Sequence, residues 1–339
     1  MAPLTGETET STAIAPLGGG VTLLDTGYLQ PGFAAVYVIR QAGRAALVET
    51  GTARTLPCLL DALRRLGVAT DSIDYIIPTH VHLDHAGGAG QLMALCPQAK
   101  LVAHPAGARH LIDPSRLVQG ATSVYGERRF DELYGTLLPV DTGRVIEAPD
   151  GFTLDFAGRT LRFLDTPGHA RHHFCVHDPA SDGLFAGDAF GLSYPALTTP
   201  AGAFAFPTTT PVQFDPDAMR QTIDRLYALG TATVYLTHFG PVAPTPAHAG
   251  QLREDIDAFM RIAQAQAMPE EGRVARIERQ LMAYLLDRLA RMGCAQTRAR
   301  CEALLAIDVE LNAQGLDVWL SRQRASSGAP AGTSRTPAH

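Results

Sequence analysis

The stretch Thr79-His80-Val81-His82-Leu83-Asp84-His85-Ala86-Gly87-Gly88 places three histidines and an aspartate within six positions, directly after the apolar run Tyr75-Ile76-Ile77-Pro78. In an extended backbone, residues two apart point the same way, so His80 and His82 aim at one ion while Val81 faces the core. Asp84 and His85 follow after the chain has begun to turn and address a neighbouring ion. With 12 histidines in 339 residues, chance yields an HxHxDH string in roughly one such chain per thousand. Metal binding is therefore the reading this string supports. It also constrains the fold, because the cluster has to sit where a strand runs into a helix, with the missing ligands brought in from other strand ends.

The rest of the chain supplies such strand ends. Short β-rich segments fit 21–24, 34–39 and 45–48, and a helix fits 56–66, with Leu59, Leu60, Leu63 and Leu66 on one face. The strand at 75–77 leads into the motif, and a helix follows from near Ala86 to Pro97. Strands at 101–103, 152–156, 161–164, 174–176, 184–185 and 234–236 and a helix at 217–229 complete an alternating pattern over residues 20–245, which calls for an α/β domain. Residues 246–322 read as helices throughout. Their apolar stripes, Leu252/Ile256/Phe259 and Val274/Ile277/Leu281/Leu285/Leu289, need burial against that body or against a second copy, as in a homodimer. Residues 1–19 and 323–339, rich in small residues and proline, read as flexible tails.

Composition excludes several classes of partner. A net charge of −6 and a single lysine, Lys100, leave no basic block to track a phosphate backbone, so nucleic acid is not expected. There is no apolar run of about 18 residues and no charged, apolar leader, which predicts a cytoplasmic protein without a membrane partner. Cys58, Cys96, Cys175, Cys294 and Cys301 form no CxxC pair and read as reduced core thiols.

Three further candidate ligands follow predicted strands: His169 in Asp165-Thr166-Pro167-Gly168-His169-Ala170, Asp188 in Phe185-Ala186-Gly187-Asp188, and His238 in Tyr235-Leu236-Thr237-His238-Phe239-Gly240. In this order the motifs resemble the metallo-β-lactamase superfamily over residues 20–245, with the surroundings of His169 and Asp188 most like its glyoxalase II and lactone-hydrolase branches. The resemblance implies an αββα sandwich with a C-terminal helical extension. It implies one metal on His80, His82 and His169, a second on Asp84, His85 and His238, and Asp188 bridging both. Imidazole and carboxylate ligands suit Zn²⁺, with Fe or Mn as alternatives, and coordination positions left open mark a catalytic site.

The expected activity is that of a binuclear hydrolase acting on a small molecule with an ester, lactone or thioester bond. A metal-bridging hydroxide is the expected nucleophile, and Asp84 and Asp188 are the carboxylates engaged in catalysis. The alternative is a flavin-independent di-iron oxygen-binding or redox protein on the same fold. Flavo-diiron proteins usually carry a carboxylate where His82 stands, which favours hydrolysis.

Lesser signals surround the ligands. Glu49, in Val48-Glu49-Thr50-Gly51, stands where the superfamily commonly has an aspartate, and is expected to support a metal ligand. His172 is expected at the mouth of the site and His173 in a structural role. The long segment 198–214 follows the bridging aspartate, so Tyr194, Phe204 and Phe206 are candidates to line an apolar substrate pocket.

Overall fold

The computed structural model describes residues 13–209 and 212–327. Seven strands, β1 (Ile14–Gly18), β2 (Val21–Asp25), β3 (Ala35–Gln41), β4 (Arg44–Val48), β5 (Ile73–Ile77), β6 (Lys100–Ala103) and β7 (Val145–Glu147), form one sheet in that spatial order. The first four pair as antiparallel hairpins, and β4 to β7 are parallel neighbours. Parallel strands need crossovers. These are α1 (Leu56–Arg65), then α2 (Leu83–Ala86) with α3 (Ala89–Leu95), then α4 (Pro105–Ile112), α5 (Ser115–Tyr125) and α6 (Glu127–Tyr134).

A second sheet runs β13-β12-β11-β10-β9-β8, from β8 (Thr153–Phe156), β9 (Arg159–Asp165), β10 (Phe174–Asp178), β11 (Gly183–Gly187), β12 (Thr233–Leu236) and β13 (Gly240–Val242). Its one parallel pairing, β11 with β12, is bridged by the 187–232 connection carrying α7 (Pro216–Tyr227).

Side-chain alternation decides how the layers stack. On β3, Val36 and Val38 pack with Leu59 and Leu63 of α1 and Leu92 of α3. Their neighbours Ala35, Tyr37 and Ile39 point the other way, into a core shared with Phe163, Phe174 and Phe185 of the second sheet. The sheets thus face each other with helices outside, giving the expected αββα sandwich. Tyr37 is fully buried there, its ring 5.4 Å from those of Phe185 and Tyr235, and its hydroxyl donates to the Leu236 carbonyl, which removes the cost of burying a polar tip.

The C-terminal helices α8 (Pro246–Ala265), α9 (Arg273–Arg291) and α10 (Arg298–Ser327) cover the outer face of the second sheet. Leu252, Ile256 and Phe259 of α8 and Ile277, Leu281, Leu285 and Leu289 of α9 join one cluster with Leu184, Ala186, Val234 and Leu236. Both apolar stripes are therefore buried within this chain. The buried Arg288 of α9 pairs with Asp255 of α8, donates to the Ala205 carbonyl and lies 4.0 Å above the Phe204 ring. That contact ties the helices to the long 187–215 loop.

Three expectations need correction. β1 lies inside the stretch read as an N-terminal tail, because Ile14 to Gly18 completes a hairpin with β2. The stretch 104–140, to which the sequence pattern assigns no element, carries α4, α5 and α6, whose short amphipathic runs are broken by Pro114 and Gly126. Helix α10 continues to Ser327, past the expected boundary at 322. The remaining tail residues 1–12 and 328–339, with His339, and also Thr210 and Pro211, lie outside the described residues. No helix among the described residues is long and apolar enough to cross a membrane.

Removal of everything after residue 245 would expose the apolar face formed by Leu184, Ala186, Val234 and Leu236. The truncated protein is expected to aggregate or melt well below the full chain, which size-exclusion chromatography and thermal unfolding will read. His248 of α8 offers a pH test. Its imidazole packs against Phe190 with ring centroids 5.1 Å apart, and burial pushes it down to about 4. The unfolded chain then binds a proton below its ordinary value near 6.5 while the fold does not, so stability is lost as pH falls from there towards 4. Replacing His248 with Gln should cost less at pH 5 than at pH 7.5, by about 1–2 kcal/mol in urea unfolding.

Candidate metal centre

Each candidate ligand emerges at the same edge of the sandwich. His80 and His82 lie between β5 and α2, and Asp84 and His85 occupy α2 itself. His169 follows β9, Asp188 follows β11 directly, and His238 is two residues beyond β12. Glycine is required where these turns pack tightly. Gly187 has φ +50°, and a Cβ there would meet His173 Nε2 and Thr79 Oγ at 2.5 Å. Gly168 has φ +130°, and its Cβ would lie 2.4 Å from Met219 Cα at the start of α7.

All seven residues named from the sequence come together. Three groups have donor atoms within 4.8 Å of one another and could hold an ion: His80/His82/His169, His80/His85/Asp188 and Asp84/His85/His238. His82 Nδ1 is 2.8 Å from His80 Nε2 and 3.0 Å from His169 Nε2. On the other side, His238 Nε2 is 3.3 Å from both His85 Nε2 and Asp84 Oδ2. Asp188 divides between them: Oδ2 lies 3.4 Å from His169 Nε2, while Oδ1 lies 3.4 Å from His85 Nε2 and 3.9 Å from His238 Nε2.

The outer ring nitrogens fix how each imidazole points. His238 Nδ1 is 2.8 Å from the Phe33 carbonyl, so it carries the hydrogen and turns the Nε2 lone pair inward. His169 Nδ1 meets the Thr208 carbonyl at 3.4 Å in the same way. His85 Nδ1 meets Glu49 Oε1 at 2.9 Å. Glu49 is fully buried and also accepts from Thr79 N–H at 3.1 Å, Thr79 Oγ at 2.6 Å and Thr237 Oγ at 2.9 Å. Its φ of +71° is a strained conformation for a non-glycine residue, held by these bonds.

Electrostatics separates the two halves. Burial, reinforced by neighbouring histidines, holds His80 and His82 well below the usual imidazole range, so both are neutral with lone pairs available. Burial would also lower His85 and His238, but Asp188, Glu49 and Asp84 overcome it at His85 and Asp188 with Asp84 at His238, and both rise. Burial would raise Asp188 and Asp84, yet the surrounding histidines, His85 foremost, bring both below the ordinary carboxylate value.

The pocket residues fare differently. His172 sits beside the cluster, its ring 5.8 Å from that of His82 and 6.2 Å from that of His80. His173 accepts from the Asp188 N–H at 3.2 Å and so shapes the turn that presents this carboxylate. Tyr194 is buried, stacked on Phe33 at 5.4 Å, and Phe33 in turn packs edge-on against His238 at 5.3 Å. Phe204 and Phe206 are wholly buried in the core beneath α9, so they do not form an exposed pocket wall. The reason is that the long loop turns inward: Leu192 and Phe206 pair through backbone hydrogen bonds, which folds the segment onto the sheet.

Other residues at the site went unnoticed in the sequence. Tyr28, Tyr125 and Tyr134 form an aromatic group that feels the Asp84 charge. Asp308 of α10 accepts from the Tyr194 hydroxyl at 3.2 Å, and burial pushes its carboxyl up to about 7. Asn312, one turn on, accepts from Thr209 N–H at 2.6 Å and donates to the Pro207 carbonyl at 3.2 Å. A visible signal existed for this pair, since Asp308 and Asn312 are polar positions inside the apolar stripe Leu305/Val309/Ala313/Leu316.

Residues 29–238 match the model of the Metallo-beta-lactamase superfamily. The Metallo-beta-lactamase fold-containing protein ST1585 of Sulfurisphaera tokodaii is 28% identical over 218 residues, 63% of this chain and 76% of its own. The solved structure of ST1585 from Sulfolobus tokodaii aligns with a TM-score of 0.63 at 23% identity, covering 88% of this chain and 98% of that one, a likeness of fold. A hydroxyacylglutathione hydrolase of Synechococcus sp. (strain JA-3-3Ab) is 31% identical over 148 residues, 44% of each chain. The acyl-coenzyme A thioesterase MBLAC2 of Bos taurus is 26% identical over 191 residues, 51% of this chain and 64% of its own. The chain thus spans less than half of that hydrolase and under two thirds of that thioesterase.

Glu49 provides the test of how the cluster is held. Glu49→Gln removes the charge and turns an amide N–H₂ towards groups that donate, so the fold should lose about 2–4 kcal/mol. Urea unfolding of chelator-treated protein will measure the loss. Removing the hydroxyl alone, as in Thr237→Val, should cost less.

Proposed function

This chain belongs to the metallo-β-lactamase superfamily, and from that premise we propose that it is a hydrolase that works with two divalent metal ions, most simply Zn²⁺, on an ester, lactone or thioester bond. The observation that carries the proposal is the division of the Asp188 carboxylate between two groups of histidines. Asp188 Oδ1 is buried and has no hydrogen-bond partner among the described residues. A carboxylate oxygen enclosed without a donor is costly unless a cation meets it, so the donor set fits metal.

In this reading His80, His82 and His169 would hold one ion and Asp84, His85 and His238 the other, with Asp188 available to both. Zn²⁺ suits a mixture of imidazole and carboxylate, and Fe or Mn would accept the same donors. Such ions supply an activated water and polarise an acyl oxygen. The chain's own residues do the positioning. Phe33 and Thr208 carbonyls and the Glu49 carboxylate keep the imidazoles turned inward, while the Tyr28/Tyr125/Tyr134 group offers an aromatic wall beside Asp84. The matched hydroxyacylglutathione hydrolase and acyl-coenzyme A thioesterase act, by name, on acyl substrates, which supports a small acyl compound as the substrate class.

Protein purified without added metal should contain close to two transition-metal ions per chain by elemental analysis, and a panel of thioesters, lactones and esters should identify a substrate. Because His85 and His238 are drawn towards the protonated state, metal uptake should release protons and weaken as pH falls. Asp188→Asn should weaken the second ion and lower turnover by about 10²–10³-fold, partly restored by excess metal, whereas Asp182→Asn on the preceding turn should do neither. Unchanged metal content and turnover in Asp188→Asn would remove the binuclear reading.

A further inference from the structure

Cys294 and Cys301 bring their Sγ atoms to 3.9 Å of each other. The sequence offers no sign of this, because the two lie on either side of a helix–helix turn. Helix α9 ends in a Schellman motif: Gly293, at φ +76°, donates its N–H to the Ala290 carbonyl, and Cys294 donates to the Leu289 carbonyl, both at 3.0 Å. That fixes the direction in which Cys294 leaves the helix. Cys301 is in the first turn of α10, donating its N–H to the Thr297 carbonyl at 3.0 Å. Cys301 is buried and Cys294 partly exposed, so a small reagent in solution reaches Cys294 first.

We propose that Cys294 and Cys301 form a thiol–disulfide modification site, oxidised by a low-molecular-weight disulfide such as oxidised glutathione. The Cys294 thiolate attacks one sulfur of the reagent, whose S–S bond breaks and releases one small thiol. Cys301 then gives up its proton and attacks the Cys294 sulfur of the mixed disulfide, expelling the second small thiol. Two protein thiols are oxidised by two electrons, the reagent disulfide is reduced to two thiols, and the two cysteine protons end on them. The sulfurs need to close from 3.9 Å to about 2.05 Å, the length of the bond. Cys294 lies in the irregular turn between α9 and α10, where side-chain rotation and a small backbone shift can supply that movement. Burial and the adjacent Cys294 raise the Cys301 thiol, which keeps it protonated until the first exchange has taken place.

The position matters because of what α10 carries. Asp308, two turns beyond Cys301, meets Tyr194, and Asn312 clamps Thr209 and Pro207. A bond between Cys294 and Cys301 would cross-link the start of the helix that reaches the metal edge.

The full-length protein as purified is to be incubated in buffers of increasing oxidised-to-reduced glutathione ratio, quenched with acid and weighed intact. The expected result is a loss of about 2 Da in a monomeric species, with thiols titrated after denaturation falling from five to three (five cysteines less the two joined). Trypsin cuts at Arg298 and Arg300 between the two cysteines, so the bond will appear as a linked peptide that separates on reduction. Cys294→Ser, at a partly exposed position, should abolish the mass loss, while Cys58→Ser on α1 should retain it. The proposal is overturned if the wild type shows no loss, if a glutathione adduct persists on Cys294 without ring closure, or if Cys294→Ser still loses two hydrogens. Because the readout is mass rather than turnover, it stands or falls independently of the hydrolase reading.

Discussion

The edge that gathers the candidate ligands depends on one buried carboxylate. Glu49 follows β4 in the first sheet, Thr79 follows β5 beside it, and Thr237 follows β12 in the second sheet; Glu49 binds both threonines and His85 at once. Hydrophobic packing brings the two sheets face to face but is non-directional and would tolerate a slide between them. Hydrogen bonds from both sheets to one enclosed charge do not tolerate it, since a displaced donor leaves a buried ion under-solvated. The carboxylate therefore sets the relative position of the loops that carry His80, His82, His85 and His238. The strained backbone at Glu49 is consistent with that role, because a left-handed conformation in a non-glycine residue persists only where its surroundings over-determine it.

The C-terminal helices extend the same logic to the other side of the site. They first serve as cover, burying the outer face of the second sheet. Having been placed by that burial, α10 can direct polar groups at the loop after Asp188, and Asp308 and Asn312 do so through Tyr194, Thr209 and Pro207. Arg288 adds a third tie from α9 through Ala205 and Phe204. The long loop that reads as a substrate wall is thus sewn to the helices, and its phenylalanines serve the core.

Much of the site was legible because ligand chemistry is written locally. The spacing of His80, His82, Asp84 and His85 is a property of a few consecutive residues, and His169, Asp188 and His238 each follow a recognisable strand. Thr79 and Thr237 were readable in principle too: each directly precedes a candidate ligand histidine, and each binds Glu49. What stayed hidden were contacts made only by tertiary packing. Nothing near Tyr194 in sequence announces Asp308, which arrives from another helix 114 residues away. The helices of the 104–140 insertion were missed because their runs are short and interrupted by Pro114 and Gly126, so apolar periodicity never extends over enough turns to be seen. β1 was missed because Pro16 and flanking small residues lower its β character, and pairing with β2 outweighs that local preference.

The charge pattern divides the cluster between histidines drawn towards protonation and histidines that stay neutral. Asp84, Asp188 and Glu49 bring three carboxylates close together, Glu49 and Asp188 buried and Asp84 partly exposed, and so much negative charge needs compensation. Without ions the compensation falls on His85 and His238, which the carboxylates draw towards protonation, while His80 and His82 remain neutral. In the proposed function, divalent ions would replace those protons and engage the neutral imidazoles as well, joining groups that protons alone cannot join. Glu49 differs from the other two carboxylates: its oxygens are already satisfied by backbone, hydroxyl and imidazole donors. It is therefore held by protein donors outside the cluster as well as by His85, whereas Asp84 and Asp188 face the cluster histidines.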